Sequence, residues 1–391
     1  MSSKNFETQA IRTQTSKTSY KEHATPLFLT SSFTFDSAQE GEALFNGQAD
    51  GHIYSRFSNP NVDEFVNKMC LLEQTESGVA TATGMAAVFT TFAALLKSGD
   101  HIVASKAIFG NSLHILQSIL PNYGISHTLV EIDDKEAWQK AVTPQTKLLF
   151  VESPSNPTLK IADLSFLGKL SKAHNLIFCI DNCFATPYLQ QPVKFGANII
   201  IHSATKYIDG QGRVLGGAIL GDKKYVDLCY DFIRRTGASL SPFNAWVLSK
   251  SLETLAIRMD RHCENAEALY QFLAQHSDVE KIFYPFDKKS PQYDLAKKQQ
   301  KLGGGLVGCQ IKGGKERGTR FLNALKLHSL TANLGDTRSI ATHPASTTHS
   351  KLSEAEQLDL GITAGFIRFS VGLEHIDDII ADVAQALENS K

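Results

Sequence analysis

The chain of 391 residues is 42% hydrophobic and 20% charged, which is typical of a globular protein with packed cores and suits more than one domain. Its formal net charge of −1 does not favour a surface for nucleic acid or acidic membranes, although a local cluster could still bind a small anion. The six cysteines have no CxxC pair and no disulfide spacing, which predicts free thiols in a reducing compartment. The sequence shows no hydrophobic signal region and no apolar run near the ~20 residues of a membrane span, so we predict a cytoplasmic protein.

The chain divides into three parts by pattern. Residues 1–50 are polar and poorly periodic, which predicts an N-terminal arm of the kind that often reaches another subunit. In residues 51–250, short apolar runs alternate with helical patterns, so we predict a mainly parallel α/β sheet covered on both faces. Residues 251–391 predict a smaller α+β C-terminal domain.

The individual elements follow in chain order. Strands are predicted at 79–83, 101–105, 127–132, 147–152, 176–181 and 198–202, and later near 306–311 and 366–371. Helices are predicted at 84–96, 110–120, 134–142 and 163–174, over a long stretch at 242–276, and at the C-terminus around 376–387. Ligands of such parallel sheets bind at the carboxyl ends of the strands.

Lys206 follows the apolar run that begins at Asn198. An ammonium group near a buried strand end is costly, and desolvation lowers a lysine pKa, which makes the amine a better nucleophile. Such an amine suits Schiff-base chemistry. A solvated surface lysine is the alternative interpretation.

Asp181 ends the neighbouring run Leu-Ile-Phe-Cys-Ile-Asp. It could be an ordinary turn or N-cap aspartate. It could also pair with the protonated pyridine nitrogen of a cofactor, which keeps the ring able to accept electrons. Asp181 and Lys206 at the tips of two nearby strands are more specific together than either residue alone.

A phosphate site is predicted where a strand turns into a helix at Thr83, Gly84 and Met85. A helix N-terminus offers free N–H groups and a positive dipole end, and glycine allows close approach. Ser203 and Thr205, on either side of Ala204 and just before Lys206, could donate hydroxyl hydrogen bonds to the same phosphate. A plain strand–helix turn is the alternative interpretation of Gly84.

These residues lie in motifs that resemble the Cys/Met-metabolism family of pyridoxal-phosphate enzymes. The resemblance extends from about residue 54 to 375 in the order of the family. Its motifs are Tyr54-Ser-Arg56-Phe-Ser-Asn-Pro, Thr83-Gly-Met-Ala-Ala, Glu152-Ser-Pro-Ser-Asn156-Pro, Asp181-Asn, Ser203-Ala-Thr205-Lys206-Tyr, Asn333-Leu-Gly-Asp and Ile367-Arg368-Phe-Ser-Val-Gly-Leu-Glu.

The resemblance implies the aspartate-aminotransferase-like fold (fold type I), the cofactor pyridoxal 5′-phosphate (PLP), and a role for each residue. Lys206 would hold the cofactor as a Schiff base and move protons, and Asp181 would hold the pyridine nitrogen. The phosphate would bind at Gly84, Met85, Ser203 and Thr205, and Asn156 would contact the ring hydroxyl. Arg368 would bind the substrate carboxylate, with a structural ion pair as the alternative. Tyr54 and Arg56 would complete the phosphate site of a neighbouring subunit. Tyr54 would also contact the substrate.

Two positions depart from the pattern of many relatives. Phe109 stands where many have a tyrosine stacked on the cofactor ring; it can stack but has no hydroxyl for proton transfer. Asn333 stands where many have a serine near the cofactor and the substrate carboxylate. Asn111 differs from the cysteine that would resemble methionine γ-lyase. The Phe109 and Asn333 variants most resemble the O-succinylhomoserine sulfhydrylase branch, as do the segments 209–217 and 342–349.

Three other features are not interpreted as further sites. The glycine-rich segment 210–216 does not fit GxGxxG, so we expect no dinucleotide site there. His343 and His349 lack common zinc spacing, so we expect no metal site and interpret both as loop histidines near the active site. Gly303–Gly305 is interpreted as a turn before a strand.

The resemblance implies γ-replacement on an activated homoserine ester, with O-succinylhomoserine and sulfide giving homocysteine in methionine biosynthesis. The alternatives within the family are cystathionine γ-synthase and methionine or cystathionine γ-lyase, and outside it a catalytically silent oligomer that only binds the cofactor. The expected partners are the small-molecule substrates, namely a homoserine ester with sulfide or cysteine. An active dimer within a homotetramer is expected, with no nucleic acid or membrane partner.

Overall fold

The computed structural model describes residues 4–347, 353–359 and 361–391. Two sheets organise these residues, a seven-stranded sheet formed between residues 77 and 221 and a five-stranded sheet formed between residues 279 and 370. None of the helices in the described ranges is long and apolar enough to cross a membrane.

The strands of the large sheet are β1 Ser77–Thr81, β2 His101–Ser105, β3 Ser126–Val130, β4 Thr146–Glu152, β5 Ile177–Asp181, β6 Ile199–Ser203 and β7 Gly217–Gly221. Their order is β1-β7-β6-β5-β4-β2-β3. Only β7 runs against its neighbours, β1 and β6, so β1 remains parallel to the rest. The predicted mainly parallel sheet is therefore what the structure contains.

The strands of the small sheet are β8 Val279–Phe283, β9 Leu306–Ile311, β10 Ser329–Leu330, β11 Ile340–Thr342 and β12 Phe366–Ser370. Their order is β10-β11-β12-β9-β8, and every pair except β10–β11 is antiparallel. One face packs on helices of the C-terminal part of the chain, at Leu255–Gln275, Gly314–Ala324 and Ile376–Asn389.

Fifteen α-helices connect and cover the sheets within the described ranges. They are α1 Phe6–Arg12, α2 Ala38–Phe45, α3 Pro60–Glu73, α4 Gly84–Leu95, α5 Gly110–His114, α6 Lys135–Ala141, α7 Leu164–His174, α8 Thr186–Leu189, α9 Lys223–Thr236, α10 Pro242–Leu252, α11 Leu255–Gln275, α12 Tyr293–Gln299, α13 Gly314–Ala324, α14 Glu354–Asp359 and α15 Ile376–Asn389. α5 continues into a π-helical turn at Ile115–Ile119 and a 3₁₀ turn at Leu120–Tyr123.

The large sheet is buried on both faces, which explains its unbroken apolar strands. On one face Leu149, Ile180 and Ile200 pack against α3, α7 and α10. On the other, Phe150 and Ile201 pack against α4 and α9.

The structure corrects several element predictions. The strand β7 and the helix α9 were missed, and the predicted long helix at 242–276 is interrupted between Leu252 and Leu255. The expected arm contains the short helices α1 and α2. The division near residue 250 falls in the last turn of α10 and stays a prediction.

Candidate active site

The carboxyl ends of four strands lie at one edge of the large sheet. β4 ends at Glu152, β5 at Asp181 and β6 at Ser203, and β1 leads into α4 on the far side of β7. The register places Glu152 directly beside Asp181. Because these strands are parallel, their last side chains and the loops after them surround one volume.

Lys206 lies in the turn after β6, and its Nζ donates a hydrogen bond to Oδ1 of Asn333 at 2.7 Å. Burial lowers the pKa of the Lys206 amine, and nearby Arg368 acts in the same direction. Asn333 comes from the segment between β10 and β11, so this bond joins the two sheets. The amine expected to act as a nucleophile is therefore partly desolvated and held by a side chain from the C-terminal part.

Arg368 on β12 is a buried cation aimed at the same volume, with 5% of its surface exposed. Its Nη1 donates to Oδ1 of Asn156 at 2.8 Å, and its Nη2 donates to the carbonyl of Asn333 at 3.3 Å. Nε has no hydrogen-bond partner among the described residues. Burial lowers the pKa of the guanidinium to about 10.

The structural ion pair that was the alternative for Arg368 is not found within the described part of the chain. Its described hydrogen bonds go to two neutral asparagine oxygens. A buried guanidinium with no carboxylate partner among the described side chains favours an anionic ligand, and its planar shape suits a carboxylate.

Asp181 uses one carboxylate oxygen in a local turn, because its Oδ1 accepts a hydrogen bond from the backbone N–H of Cys183 at 3.0 Å. Burial raises the pKa of Asp181 to about 6. The turn role and the cofactor role are thus compatible, and a nearby cation would stabilise the ionised form of this carboxyl.

The helix N-terminus that is expected to bind the phosphate lies at the start of α4, and phosphate binding there stays a prediction. Thr83 is the N-cap and accepts a hydrogen bond from Ala86 N–H at 3.0 Å. The N–H groups of Gly84 and Met85 precede the first intrahelical bonds. A Cβ added at Gly84 would lie 2.5 Å from the Cβ of Ser203, so the close approach of α4 to β6 requires glycine.

Thr205 differs in part from its expected role. Its hydroxyl exchanges hydrogen bonds with the backbone of Gly216, accepting from N–H at 3.2 Å and donating to the carbonyl at 3.4 Å. It therefore also holds the loop before β7, and a phosphate contact stays a prediction.

Phe109 precedes α5 at the rim of the same edge, and the residue is 40% exposed. Its backbone N–H donates to Oε2 of Glu152 at 2.7 Å. The exposed ring is available to stack on a bound group, which stays a prediction.

Tyr54 and Arg56 are not joined to Lys206 by any contact among the described residues. Tyr54 is 40% exposed. The Arg56 guanidinium lies over the Phe57 ring at 4.8 Å and donates to the Arg234 carbonyl. Their predicted role in a neighbouring subunit is compatible with this placement and stays a prediction.

Sequence reasoning gave no role to Glu152, although the residue opened one of the quoted motifs. Its carboxyl is buried, and burial together with the Asp181 charge raises its pKa well above the ordinary value. The available signal was its position, since Glu152 ends an apolar strand as Asp181 does.

The structure describes one of the two histidines that lack zinc spacing. His343 is buried, and its ring nitrogens contact the Ser346 hydroxyl and the Ala364 carbonyl. His349 lies outside the described residues. Over the described ranges, no group of three or more His, Cys, Asp or Glu side chains is arranged to hold a metal.

The residues present fit PLP. Lys206 offers an amine with a lowered pKa, Gly84 leaves space beside a helix N-terminus, and Arg368 presents an unpartnered buried Nε. An aldehyde, a phosphate and a carboxylate are the ligands that these groups suit.

Comparisons with known proteins agree with this assignment. The sequence model of the family described as "Cys/Met metabolism PLP-dependent enzyme" matches residues 7–388. The chain is 42% identical over 382 residues to an O-succinylhomoserine sulfhydrylase of Pseudomonas aeruginosa, covering 98% of this chain and 95% of that protein. It is also 42% identical over 385 residues to an L-methionine gamma-lyase of Fusobacterium nucleatum subsp. polymorphum, covering 97% of each.

A solved structure from Campylobacter jejuni that contains N′-pyridoxyl-lysine-5′-monophosphate superimposes with a TM-score of 0.94 at 36% identity, covering 98% of this chain and 100% of that one. The predicted α/β fold class and the PLP cofactor are therefore confirmed.

Proposed function

The chain belongs to the Cys/Met-metabolism family of PLP-dependent enzymes, and within that family we propose that it catalyses γ-replacement on an activated homoserine ester. The proposed reaction joins O-succinylhomoserine and sulfide to give homocysteine and succinate. The observation that carries it is the set Lys206, Asn333, Arg368 and Asn156, linked across the two sheets by hydrogen bonds.

Arg368 is proposed to bind the α-carboxylate of the substrate. The unpartnered Nε and the two terminal nitrogens form a planar donor set, and the neutral asparagine oxygens beside it leave its positive charge available. This contact orients the Cα–H bond toward the Lys206 amine.

Lys206 is proposed to carry the proton transfers. When bound, PLP supplies an electron sink for the charge left at Cα. The Lys206 amine removes the Cα proton, and its lowered pKa keeps a fraction of it neutral and able to act as a base. Asn333 holds Nζ through the hydrogen bond at 2.7 Å, which fixes the direction of the transfer.

Within this proposal, Phe109 favours γ-replacement over γ-elimination. A phenyl ring has no hydroxyl to exchange a proton, so Lys206 has to serve the Cβ proton as well as the Cα proton. An amine that serves both carbons suits γ-replacement, in which the proton removed from Cβ is returned to Cβ after the nucleophile has added.

The experiment that tests the proposal compares three incubations of the PLP-loaded enzyme. O-succinylhomoserine is supplied with sulfide or with cysteine, and methionine is supplied alone. We expect the highest kcat/KM with sulfide, measured as homocysteine formed. Faster formation of cystathionine would identify a cystathionine γ-synthase instead.

A methionine γ-lyase is the second candidate, because the L-methionine gamma-lyase relative is as identical as the sulfhydrylase relative. Release of methanethiol and 2-oxobutanoate from methionine, faster than homocysteine formation, would establish the lyase and overturn the proposal.

A further inference from the structure

Glu152 is a buried carboxyl that the proposed reaction does not use. It ends β4 and is 4% exposed. The charged or titratable groups that face it come from the neighbouring strands and loops: Asp181 at the end of β5, Cys183 in the loop that follows, and Arg368 on β12.

Two backbone groups converge on the Glu152 carboxylate. Its Oε2 accepts a hydrogen bond from Phe109 N–H at 2.7 Å. The backbone N–H of Asn156 also lies close enough to the carboxyl group to lower its pKa. Phe109 and Asn156 are the residues expected to contact the face and the hydroxyl of the cofactor ring, so one side chain ties together both loops.

Glu152 and Asp181 form a pair of buried acids. They are register partners on adjacent parallel strands, so their side chains leave the same face of the sheet. Two carboxylates held side by side away from water cannot both be ionised cheaply, and the pair retains a proton.

We propose that Glu152 is a positioning residue, which holds the Phe109 and Asn156 loops around the cofactor ring and carries the proton of the carboxyl pair, so that the negative charge resides on Asp181. Glu152 is the more fully buried of the two residues, and this favours its holding the proton, because burial disfavours the charged form. A neutral acid still accepts N–H hydrogen bonds and leaves Asp181 as the anion for the pyridine nitrogen.

Arg368 does not move the proton of the pair from Glu152 to Asp181. Its charge favours an ionised Glu152, but its terminal nitrogens donate to Asn156 and Asn333, and no ion pair with Glu152 occurs among the described residues. The proposal depends on cofactor binding, which the family establishes, and not on the choice of nucleophile.

The first test compares Glu152→Gln with Glu152→Ala in the PLP-loaded enzyme without substrate. Glutamine has the shape and neutral charge of a protonated glutamate, so the visible circular dichroism of the cofactor and its Kd should match the wild type. Alanine removes the hydrogen bond from Phe109 N–H and the carboxyl group beside Asn156, so the Kd should rise about 10-fold or more and the visible dichroism should change.

The second test is a pH titration of the cofactor absorbance in the wild type and Glu152→Gln. If Glu152 is already neutral, its replacement changes no charge, and the chromophore should titrate at the same pH. If Glu152 is ionised, its loss would remove an anion near a cationic chromophore and lower the chromophore pKa by about one unit or more. That shift would overturn the proposal.

Glu64→Gln is the matched control, because Glu64 is also buried and hydrogen-bonded but lies on α3, where it pairs with Lys68 at 3.3 Å. It should lower stability without changing the visible dichroism per bound cofactor. An unchanged dichroism in Glu152→Ala would contradict the positioning role. If Glu152→Ala does not fold, the dichroism and titration of Glu152→Gln decide the question.

Discussion

Two buried charges of opposite sign contribute to the environment of Lys206, and neither has a described ion-pair partner. Asp181 and Arg368 both have pKa values shifted toward their neutral forms by burial. A protein that places such charges without neutralising them loses stability in the absence of ligand. The site is therefore prepared for a ligand that brings a cation to Asp181 and an anion to Arg368.

Arg368→Lys should weaken substrate binding. Lysine keeps the positive charge but loses the planar donor set and the hydrogen bonds to Asn156 and Asn333. We expect kcat/KM for the homoserine ester to fall about 10-fold or more, mainly through KM. Steady-state kinetics measure this, with Arg261→Lys on the exposed side of α11 as control. An unchanged KM would argue against the carboxylate contact.

Asp181→Asn should stabilise the cofactor-free enzyme at neutral pH. Burial raises the pKa of Asp181 from 3.8 to about 6, so between these values the folded protein binds a proton that the unfolded chain has released. Its free energy of unfolding consequently falls as pH rises through this window. Asparagine avoids the buried charge and can still accept the N–H of Cys183, so we expect a gain of about 1–3 kcal/mol above pH 6 and none below about pH 4.

Urea unfolding of the cofactor-free proteins at the two pH values measures this difference. Asp163→Asn provides a control in which the effect on stability should have the opposite sign. Burial raises the pKa of Asp163, but Lys135 and the Phe166 N–H lower it by more, so the pKa is lower in the folded state than in the unfolded chain. That variant should lose stability above about pH 4. Equal stability of Asp181→Asn and wild type at neutral pH would mean that Asp181 is solvated.

At the scale of elements, the strands with unbroken apolar sequences could be predicted to within about two residues at either end. Burial on both faces makes every side chain of such a strand apolar, and this pattern is visible without knowledge of the neighbouring strands. β4, β5 and β6 are examples. β7 could not be recognised, because its ends are Gly217 and Gly221 and its sequence resembles a turn. Those glycines are required by close backbone approaches, Gly217 to Thr83 and Gly221 to Asn198, which only the assembled sheet reveals.

The contact between α4 and β6 gives a prediction at this scale. Gly84→Ala would place a methyl group 2.5 Å from the Cβ and 2.9 Å from the Cα of Ser203, so the helix has to move away from the strand. We expect a loss of about 1–3 kcal/mol of stability and weaker PLP binding. Thermal unfolding and cofactor titration measure the two effects.

Gly110→Ala is the control for stability, because its added methyl group would meet no heavy atom within 4 Å. It should unfold close to the wild-type temperature. A Gly84→Ala variant with unchanged stability and cofactor affinity would contradict the close approach of α4 to β6.

For the whole molecule, the site depends on contacts between residues far apart in sequence. Lys206 donates a hydrogen bond to Asn333, and Arg368 donates one to Asn156. Each bond joins a residue from the region of the large sheet to a residue from the region of the small sheet. Periodicity predicts strands in both sheets but not which loops meet. Lys206 could be identified from its position after a buried strand, whereas Asn156, Asn333 and Arg368 were identified only through resemblance. Tyr54 and Arg56 remain apart from Lys206 among the described residues, which is why their role requires a test between subunits.

Mixing of two inactive variants provides that test. Lys206→Ala should lose activity by about 10²–10⁴-fold or more, because no other group replaces the amine. Arg56→Ala should lose most of its PLP affinity if Arg56 completes the phosphate site of a neighbouring subunit. When the two are unfolded and refolded together, random pairing places one intact site in each mixed dimer, so we expect about a quarter of the wild-type activity per chain. Recovery absent from either variant alone would establish a shared site, whereas a mixture no more active than the sum of the two would show that Arg56 acts within its own chain.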